Sequence, residues 1–177
     1  MFPNVALIDP KLTISVPRDL SASTGLDALT QVIEPFLSSK SNHLIDTLCL
    51  DAFQIGYKAL PEVCSNPMSI KARTEMSYVS LIGGIALTNA GLGAVHGFAT
   101  SIGGMFDIPH GMICGCLLAP VLEANWGIVK DTSEYQQIQI KFYQLAKQAG
   151  FVGPEAVDLM IESIYQMRKS LGIRSLG

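Results

Sequence analysis

The chain has 177 residues, 49% of them hydrophobic and only 15% charged, and its formal net charge is -3 at pH 7. This length allows one domain with a sizeable core, and the composition fits a well-buried globular protein or a membrane protein rather than a disordered chain. The twelve lysines and arginines are scattered along the sequence, which argues against nucleic acid and against an anionic lipid surface as partners.

The first predicted element is one short β-strand at residues 5–10, where an apolar run ends at Pro10. Residues 1–10 contain neither a basic region nor a long apolar run, so no secretory leader is expected and a cytoplasmic location is the default. The four cysteines lack the spacing of a zinc ribbon, and we interpret them as reduced thiols that pack in the interior.

The first predicted helix carries Asp27, and Pro17 opens this element. Apolar residues recur at helical spacing between residues 26 and 37, and Ser23 or Thr24 is placed to cap the helix at its start. A second helix is predicted at about residues 44–60.

That second helix is expected to be capped by the pair Ser41-Asn42 and ended by Pro61. The remaining helices are predicted at about residues 69–87, around His96, and at residues 110–125, 134–148 and 155–170. The fold class is therefore all-α, a bundle-like helical domain with one short N-terminal strand, and residues 1–177 form a single domain.

A long uncharged stretch raises the question of a membrane. No Asp, Glu, Lys or Arg occurs between Glu75 and Asp107, which exceeds the roughly 20 residues of a membrane span. The stretch also contains Asn89, His96 and several glycines, and it lacks flanking aromatic belts. Small residues at close spacing suit a central helix of a soluble protein equally well, so no membrane partner is expected.

Residues 89–120 hold two of the three histidines, His96 and His110, and each is followed by glycine. A buried imidazole needs a partner, which is either a metal ion shared by both rings or a backbone carbonyl for each. Asp27 and Gln31 are spaced i and i+4, so they share one helix face. Asp27 either serves the helix dipole or binds a metal, and one aspartate with two histidines suits Zn²⁺ or Fe²⁺ with an open position.

Three separated motifs resemble the iron-containing (group III) alcohol dehydrogenase family. They are Thr-Gly-Leu-Asp-Ala-Leu at residues 24–29, Asn-Ala-Gly-Leu-Gly-x-x-His-Gly at residues 89–97, and Pro-His-Gly at residues 109–111. The resemblance implies the all-helical, metal-binding C-terminal domain of that family. It also implies a fragment that lacks the N-terminal dinucleotide-binding domain and the last C-terminal helices, since no strand leads into a Gly-rich phosphate loop.

By this resemblance, Asp27, His96 and His110 match three of the family's metal ligands and are the expected catalytic residues. Gln31 stands where the family usually has a fourth ligand, a histidine, and its amide oxygen is a weaker ligand. Thr100 stands where the family often has a second histidine that is thought to transfer a proton. Three ligands plus water are similar to the ligand count of the zinc-using glycerol dehydrogenase branch.

The resemblance implies the metal-binding half of an NAD(P)-dependent alcohol or aldehyde oxidoreductase, and three functions remain open for the chain. In the first, Fe²⁺ or Zn²⁺ polarises the substrate oxygen while NAD or NADP is bound mainly by the absent domain, and the full-length protein is a homodimer. The second is a metal-independent enzyme similar to the maleylacetate reductases. The third is a non-catalytic helical remnant.

Overall fold

The computed structural model describes residues 4–175, and these form seven α-helices and two short 3₁₀ helices with no strand among them. The α-helices are α1 (Arg18–Leu37), α2 (His43–Ser65), α3 (Ile70–Ala90), α4 (Ala94–Met105), α5 (His110–Val129), α6 (Gln136–Gln148) and α7 (Ala156–Ser170). The 3₁₀ helices are Pro10–Thr13 and Ser133–Tyr135. The predicted all-α class is confirmed.

Helix α1 is the centre of the fold. Thirteen of its 20 residues are buried, and it packs against α2, α3 and α5. Leu26, Ile33 and Phe36 are almost completely excluded from solvent. Helix α5, which contributes to the site described below, packs directly on α1.

The predicted cap of α1 at Ser23 or Thr24 was wrong, because both residues lie inside the helix. Each hydroxyl donates to the carbonyl of Leu20, at 3.2 Å and 2.7 Å, a bond that a helical residue makes within its own helix. The helix begins at Arg18, whose guanidinium donates to the carbonyls of Ser170 and Leu171. The helix start directly after Pro17 agrees with the predicted opening of this element at that proline, and the Arg18 contacts also tie it to the far end of the chain.

The predicted end of α2 at Pro61 was also wrong, although its cap was right. The Asn42 side chain accepts from the amides of Leu44 and Ile45 at 3.1 Å. Pro61 lies within α2, which continues to Ser65. An interior proline costs about 3 kcal/mol, and burial of Val63 in the following turn offsets a large part of that cost, at about 1.5–3 kcal/mol for a valine side chain.

The predicted N-terminal strand was wrong as well. Residues 5–9 belong to no regular element, and Val5 and Leu7 are exposed. A strand requires a partner for its backbone amides and carbonyls, and no second strand occurs within residues 4–175.

Between α3 and α5 the chain turns sharply twice. Gly91, which follows α3, has a φ of 73°, a left-handed conformation that glycine adopts without a steric cost. Helices α3 and α4 are bent by 100° relative to each other. Helix α4 packs mainly on α5, where a small cluster of Val95, Ala99, Ile113 and Cys114 forms a core separate from the main one.

Helix α5 is long and apolar enough to span a bilayer by length and composition, with a mean hydropathy of 1.6 over its most apolar window. Half of that window is buried inside the fold. This is weak evidence for a membrane span, because the core helix of a soluble domain has the same composition.

Candidate metal centre

The structure brings Asp27, His96 and His110 together from three different helices. Asp27 lies on α1, His96 in the first turn of α4, and His110 is the first residue of α5. Oδ1 of Asp27 is 3.1 Å from Nε2 of His96 and 3.9 Å from Nε2 of His110. Residues that are up to 83 positions apart in sequence thus present three potential ligand atoms to one point.

A fourth group that the sequence analysis assigned to packing, the Cys114 thiol, completes this cluster. Its Sγ is 3.5 Å from Nε2 of His110. One ligand atom each of Asp27, His96, His110 and Cys114 lies within 4.8 Å of the other three. Cys114 follows His110 by four residues on α5, so the i, i+4 spacing was a usable signal for it.

Glu34 is a second residue that the sequence analysis missed. Its Oε2 lies 2.7 Å from Nδ1 of His96, and its Oε1 accepts from the amide of Val95 at 2.7 Å. A carboxylate on one imidazole nitrogen orients the ring and leaves the other nitrogen to face the site. The signal was its spacing, because Asp27, Gln31 and Glu34 form an i, i+4, i+7 polar stripe on an otherwise apolar helix.

Gln31 lies beside Asp27. Its side-chain amide nitrogen donates to Oδ2 of Asp27 at 3.3 Å, while Oδ1 of the same carboxylate faces both histidines. This contact orients the carboxylate. A direct bond from Gln31 to a metal stays a prediction.

Two glycines allow the helices to approach α1 at the site. A Cβ at Gly111 would lie 2.6 Å from the carbonyl oxygen of Ser23 on α1, and a Cβ at Gly93 would lie 2.7 Å from Oε1 of Glu34. Both distances are far below ordinary van der Waals contact. The absence of a side chain at these positions therefore sets how closely His110 and His96 approach Asp27.

The cluster is electrostatically coupled. Burial alone would raise the pKa of Asp27, but the hydrogen bond and charge of His96, with the charge of His110, hold it below its usual value of 3.8. Burial opposes the charged form of His96, yet hydrogen bonds to Asp27, Cys114 and Glu34 raise its pKa from 6.5 to about 11. Burial also raises the pKa of the Cys114 thiol, although the His96 hydrogen bond opposes this effect.

The cluster is most exposed to solvent at His110. The side chain of His110 is 46% exposed, whereas those of Asp27 and His96 are 19% and 8% exposed. A groove of about 780 Å³ lies between α1 and α3, and its lining among the described residues contains no His, Cys, Asp or Glu. The groove therefore has no set of metal ligands comparable to that of the cluster.

The donor set fits a divalent transition-metal ion. Carboxylate oxygen, imidazole nitrogen and thiolate sulfur are the ligands of Zn²⁺ in proteins, and the imidazoles also suit Fe²⁺. Bonds of about 2.0–2.3 Å in a tetrahedral site place neighbouring ligand atoms roughly 3.3–3.8 Å apart. The measured separations of 3.1, 3.5 and 3.9 Å lie close to that range.

Thr100, one turn after His96, donates its hydroxyl proton to the His96 carbonyl at 2.8 Å. A threonine hydroxyl does not ionise near neutral pH and has no imidazole-like acid–base function. At this position the chain provides no side chain that could act as a general base.

The family model of the Fe-containing alcohol dehydrogenase family, C-terminal, matches residues 21–176. Among curated proteins, the chain is 33% identical to the 1-propanol dehydrogenase of Salmonella typhimurium over 182 residues, covering 100% of this chain and 47% of that protein. It is 37% identical over 140 residues to alcohol dehydrogenase 4 of Saccharomyces cerevisiae, covering 79% of this chain and 37% of that one. The chain thus spans about half the length of the Salmonella enzyme and just over a third of the length of the yeast enzyme.

Two solved structures share both fold and sequence with the chain. A 1,3-propanediol oxidoreductase superposes with a TM-score of 0.88 at 32% identity, covering 97% of this chain and 44% of that one. The sulfoacetaldehyde reductase from Bifidobacterium kashiwanohense, solved with NAD⁺, gives a TM-score of 0.85 at 32% identity, covering 98% and 43%. The chain belongs to the Fe-containing alcohol dehydrogenase family and corresponds to its C-terminal, all-helical region.

Proposed function

We propose that the chain is the metal-binding half of an NAD(P)-dependent oxidoreductase that interconverts small alcohols and aldehydes. The observation that carries this proposal is the convergence of Asp27, His96 and His110 on one point beside an open face. Family membership supports the reaction class, and the donor set supports Zn²⁺ or Fe²⁺ as the ion. We assign Asp27, His96 and His110 as the ligands.

An ion bound there supplies Lewis-acid polarisation of the substrate oxygen. The chain's own residues prepare the site for it. Glu34 holds Nδ1 of His96, so that Nε2 points toward Asp27. Gln31 holds one oxygen of Asp27 and leaves the other directed at the histidines. The exposed edge of His110 leaves room for a small substrate on the solvent side.

We assign proton transfer to a group other than the side chains around Thr100. Thr100 occupies the position that would suit an acid–base histidine, and its hydroxyl proton is held by a backbone carbonyl. We therefore assign the alcohol proton to water or to a ribose hydroxyl of the cofactor. The pH dependence of the reaction rate is therefore expected to show no ionisation from a second, acid–base histidine.

Substrate and cofactor assignments follow the relatives. Their names specify propanol and propanediol, and one solved neighbour holds NAD⁺. We propose a short-chain alcohol or aldehyde as substrate, and NAD or NADP bound mainly by the part of the relatives that this chain does not span. A homodimer and a cytoplasmic location complete the proposal.

The test is a chelation experiment on the full-length product of the gene. Turnover of propan-1-ol with NAD⁺ or NADP⁺ should be lost after treatment with a chelator and restored by Fe²⁺ or Zn²⁺. Asp27→Asn should be inactive, because it removes an anionic ligand. Asp107→Asn is the matched control, since Asp107 is exposed and lies outside the cluster.

Two results would contradict the proposal. Turnover that survives chelation would assign the chain to a metal-independent enzyme similar to the maleylacetate reductases. Absence of turnover together with absence of metal would leave a non-catalytic helical module. In either case the expected difference between Asp27→Asn and Asp107→Asn would be absent, because that difference depends on a metal bound at the cluster.

A further inference from the structure

Gln31 lies one helical turn after Asp27 on α1 and borders the cluster. Its side-chain amide already makes a hydrogen bond to Asp27. The nitrogen donates to Asp27, and the oxygen lies beside Gly83 on α3, where a Cβ built on Gly83 would be 3.0 Å away. Exchanging the two amide atoms would place the amide oxygen, which only accepts, against the carboxylate, and the hydrogen bond to Asp27 would be lost. Gln31 therefore cannot turn its oxygen toward an ion at the cluster without losing its hydrogen bond to the carboxylate.

The opposite wall of the cluster comes from α5. His110 and Cys114 are one helical turn apart, so their side chains lie on the same face. Sγ of Cys114 is 3.5 Å from Nε2 of His110, and it belongs to the group of ligand atoms that lie within 4.8 Å of one another. Three pairs within this group therefore have separations close to those of a tetrahedral site.

The surroundings of Cys114 distinguish it from a thiol that only fills space. Its residue is completely buried, and Val95, Ala99 and Ile113 cover its apolar side. The sulfur itself is directed at the histidine pair and the carboxylate rather than into this small cluster. The apolar cover excludes water from the sulfur, which favours a metal–thiolate bond over a hydrated thiol.

We propose that the Cys114 thiolate is the fourth protein ligand of the ion, supplied from α5 in place of an imidazole at position 31 on α1. The inference rests on the metal site of the proposed function and deepens it. The resulting set of one oxygen, two nitrogens and one sulfur is softer than a set of carboxylate and imidazoles. It therefore selects Zn²⁺, or Co²⁺ as its spectroscopic substitute, over Mg²⁺ and Ca²⁺, and shifts the preference away from Fe²⁺.

The experiment is a titration of the metal-free 177-residue chain with Co²⁺, under reducing conditions that keep the cysteines as thiols. A sulfur ligand produces a ligand-to-metal charge-transfer absorption in the near ultraviolet, which oxygen and nitrogen ligands do not produce. The wild type should show this absorption at one equivalent of Co²⁺. Competition with Zn²⁺ then provides the zinc affinity of each variant.

Cys114→Ser and Cys114→Ala should lose the charge-transfer absorption and bind Zn²⁺ about 10–100-fold more weakly. Cys116→Ser is the matched control, because Cys116 is also buried on α5 but its sulfur contacts the carbonyl of Arg174 instead of the cluster. It should keep both the absorption and the affinity. Far-ultraviolet circular dichroism identifies any variant that fails to fold, and the Ser and Ala replacements provide two chances to obtain a folded one.

The outcomes separate this inference from the function on which it rests. Binding of Co²⁺ without the charge-transfer absorption, at an affinity that Cys114→Ser leaves unchanged, would overturn the role of Cys114 and leave a three-ligand site. A charge-transfer absorption that persists in Cys114→Ser would assign the sulfur to another cysteine. No binding of Co²⁺ or Zn²⁺ by the wild type would overturn the metal site itself.

Discussion

The two cluster histidines are each followed by a glycine, and the structure predicts opposite results for replacing the two glycines by alanine. At Gly97, on α4, no atom lies within 4 Å of an added Cβ. At Gly111, on α5, an added Cβ would lie 2.6 Å from the carbonyl oxygen and 2.8 Å from the carbonyl carbon of Ser23. The second contact is with the backbone of α1, which cannot rotate away.

The size of the disturbance follows from these distances. Ordinary van der Waals contact begins at 3.4 Å, so Gly111→Ala requires α1 and α5 to separate by about 0.8 Å. Such overpacking destabilises a fold by about 1–3 kcal/mol. A separation of this size exceeds the roughly 0.5 Å tolerance of a metal or catalytic site, and a displacement near 1 Å costs on the order of 100-fold in function.

Gly111→Ala should therefore lower the free energy of unfolding by about 1–3 kcal/mol and weaken Zn²⁺ binding by roughly 10–100-fold. Gly97→Ala should raise the free energy of unfolding by about 0.5–1 kcal/mol, because alanine is the better helix former, and should leave zinc binding unchanged. Urea unfolding measures the first quantity, and isothermal titration of the metal-free chain measures the second. Equal behaviour of the two variants would refute the assignment of the α1–α5 contact as the element that positions His110.

Three further predictions concern the residues around the ion. Glu34→Gln should weaken Zn²⁺ binding by about 10–100-fold in calorimetric titration, because the neutral amide no longer polarises His96; an unchanged affinity would contradict this role. The pKa of His96 is raised from 6.5 to about 11, so zinc must displace its proton and the affinity should rise with pH across this range. In the metal-free chain, the stabilisation that the raised pKa of His96 provides is complete below pH 6.5 and is lost toward pH 11. As the pH rises, the thermal unfolding midpoint of the metal-free chain should therefore fall while the zinc affinity rises. A midpoint that rises together with the zinc affinity would contradict the assignment of His96 as the titrating ligand. Gln31→His should restore about tenfold of the zinc affinity that Cys114→Ser removes, and should have a smaller effect in the wild type, where four ligands are present; no restoration would exclude position 31 from the site.

The helices were predictable because their apolar residues recur at helical spacing, and several of their ends were too: α5 begins at His110 and α7 ends at Ser170, as expected. Pro17 marked the start of α1, whereas α2 continues past Pro61 to Ser65, with Val63 buried. The end of α2 depends on tertiary packing that a local pattern does not contain. Asn42 was predicted correctly because its cap is made to the amides that directly follow it.

The same division applies to the site. Asp27, His96 and His110 were singled out by their chemistry and by a family resemblance, and the structure brings them together. Cys114 was interpreted as a packing residue because free cysteines are usually buried as small apolar groups, although the predicted helix start at His110 already placed it one turn from that histidine. Glu34 was missed because its partners, on α4, are distant in sequence.

Helix α4 is held to the rest of the molecule mainly by α5 and by the small core around Val95 and Ala99, so little apolar area resists its detachment. Segments of this kind open locally without unfolding of the whole domain, and their backbone amides exchange with solvent accordingly. An ion bonded to His96 and Asp27 at once would have to leave before α4 could open. At a free zinc concentration one hundred times the dissociation constant, this linkage adds about 2.7 kcal/mol to the cost of opening. Amide exchange in α4 alone, with α2 as an internal reference, would then report occupancy of the site without any turnover assay.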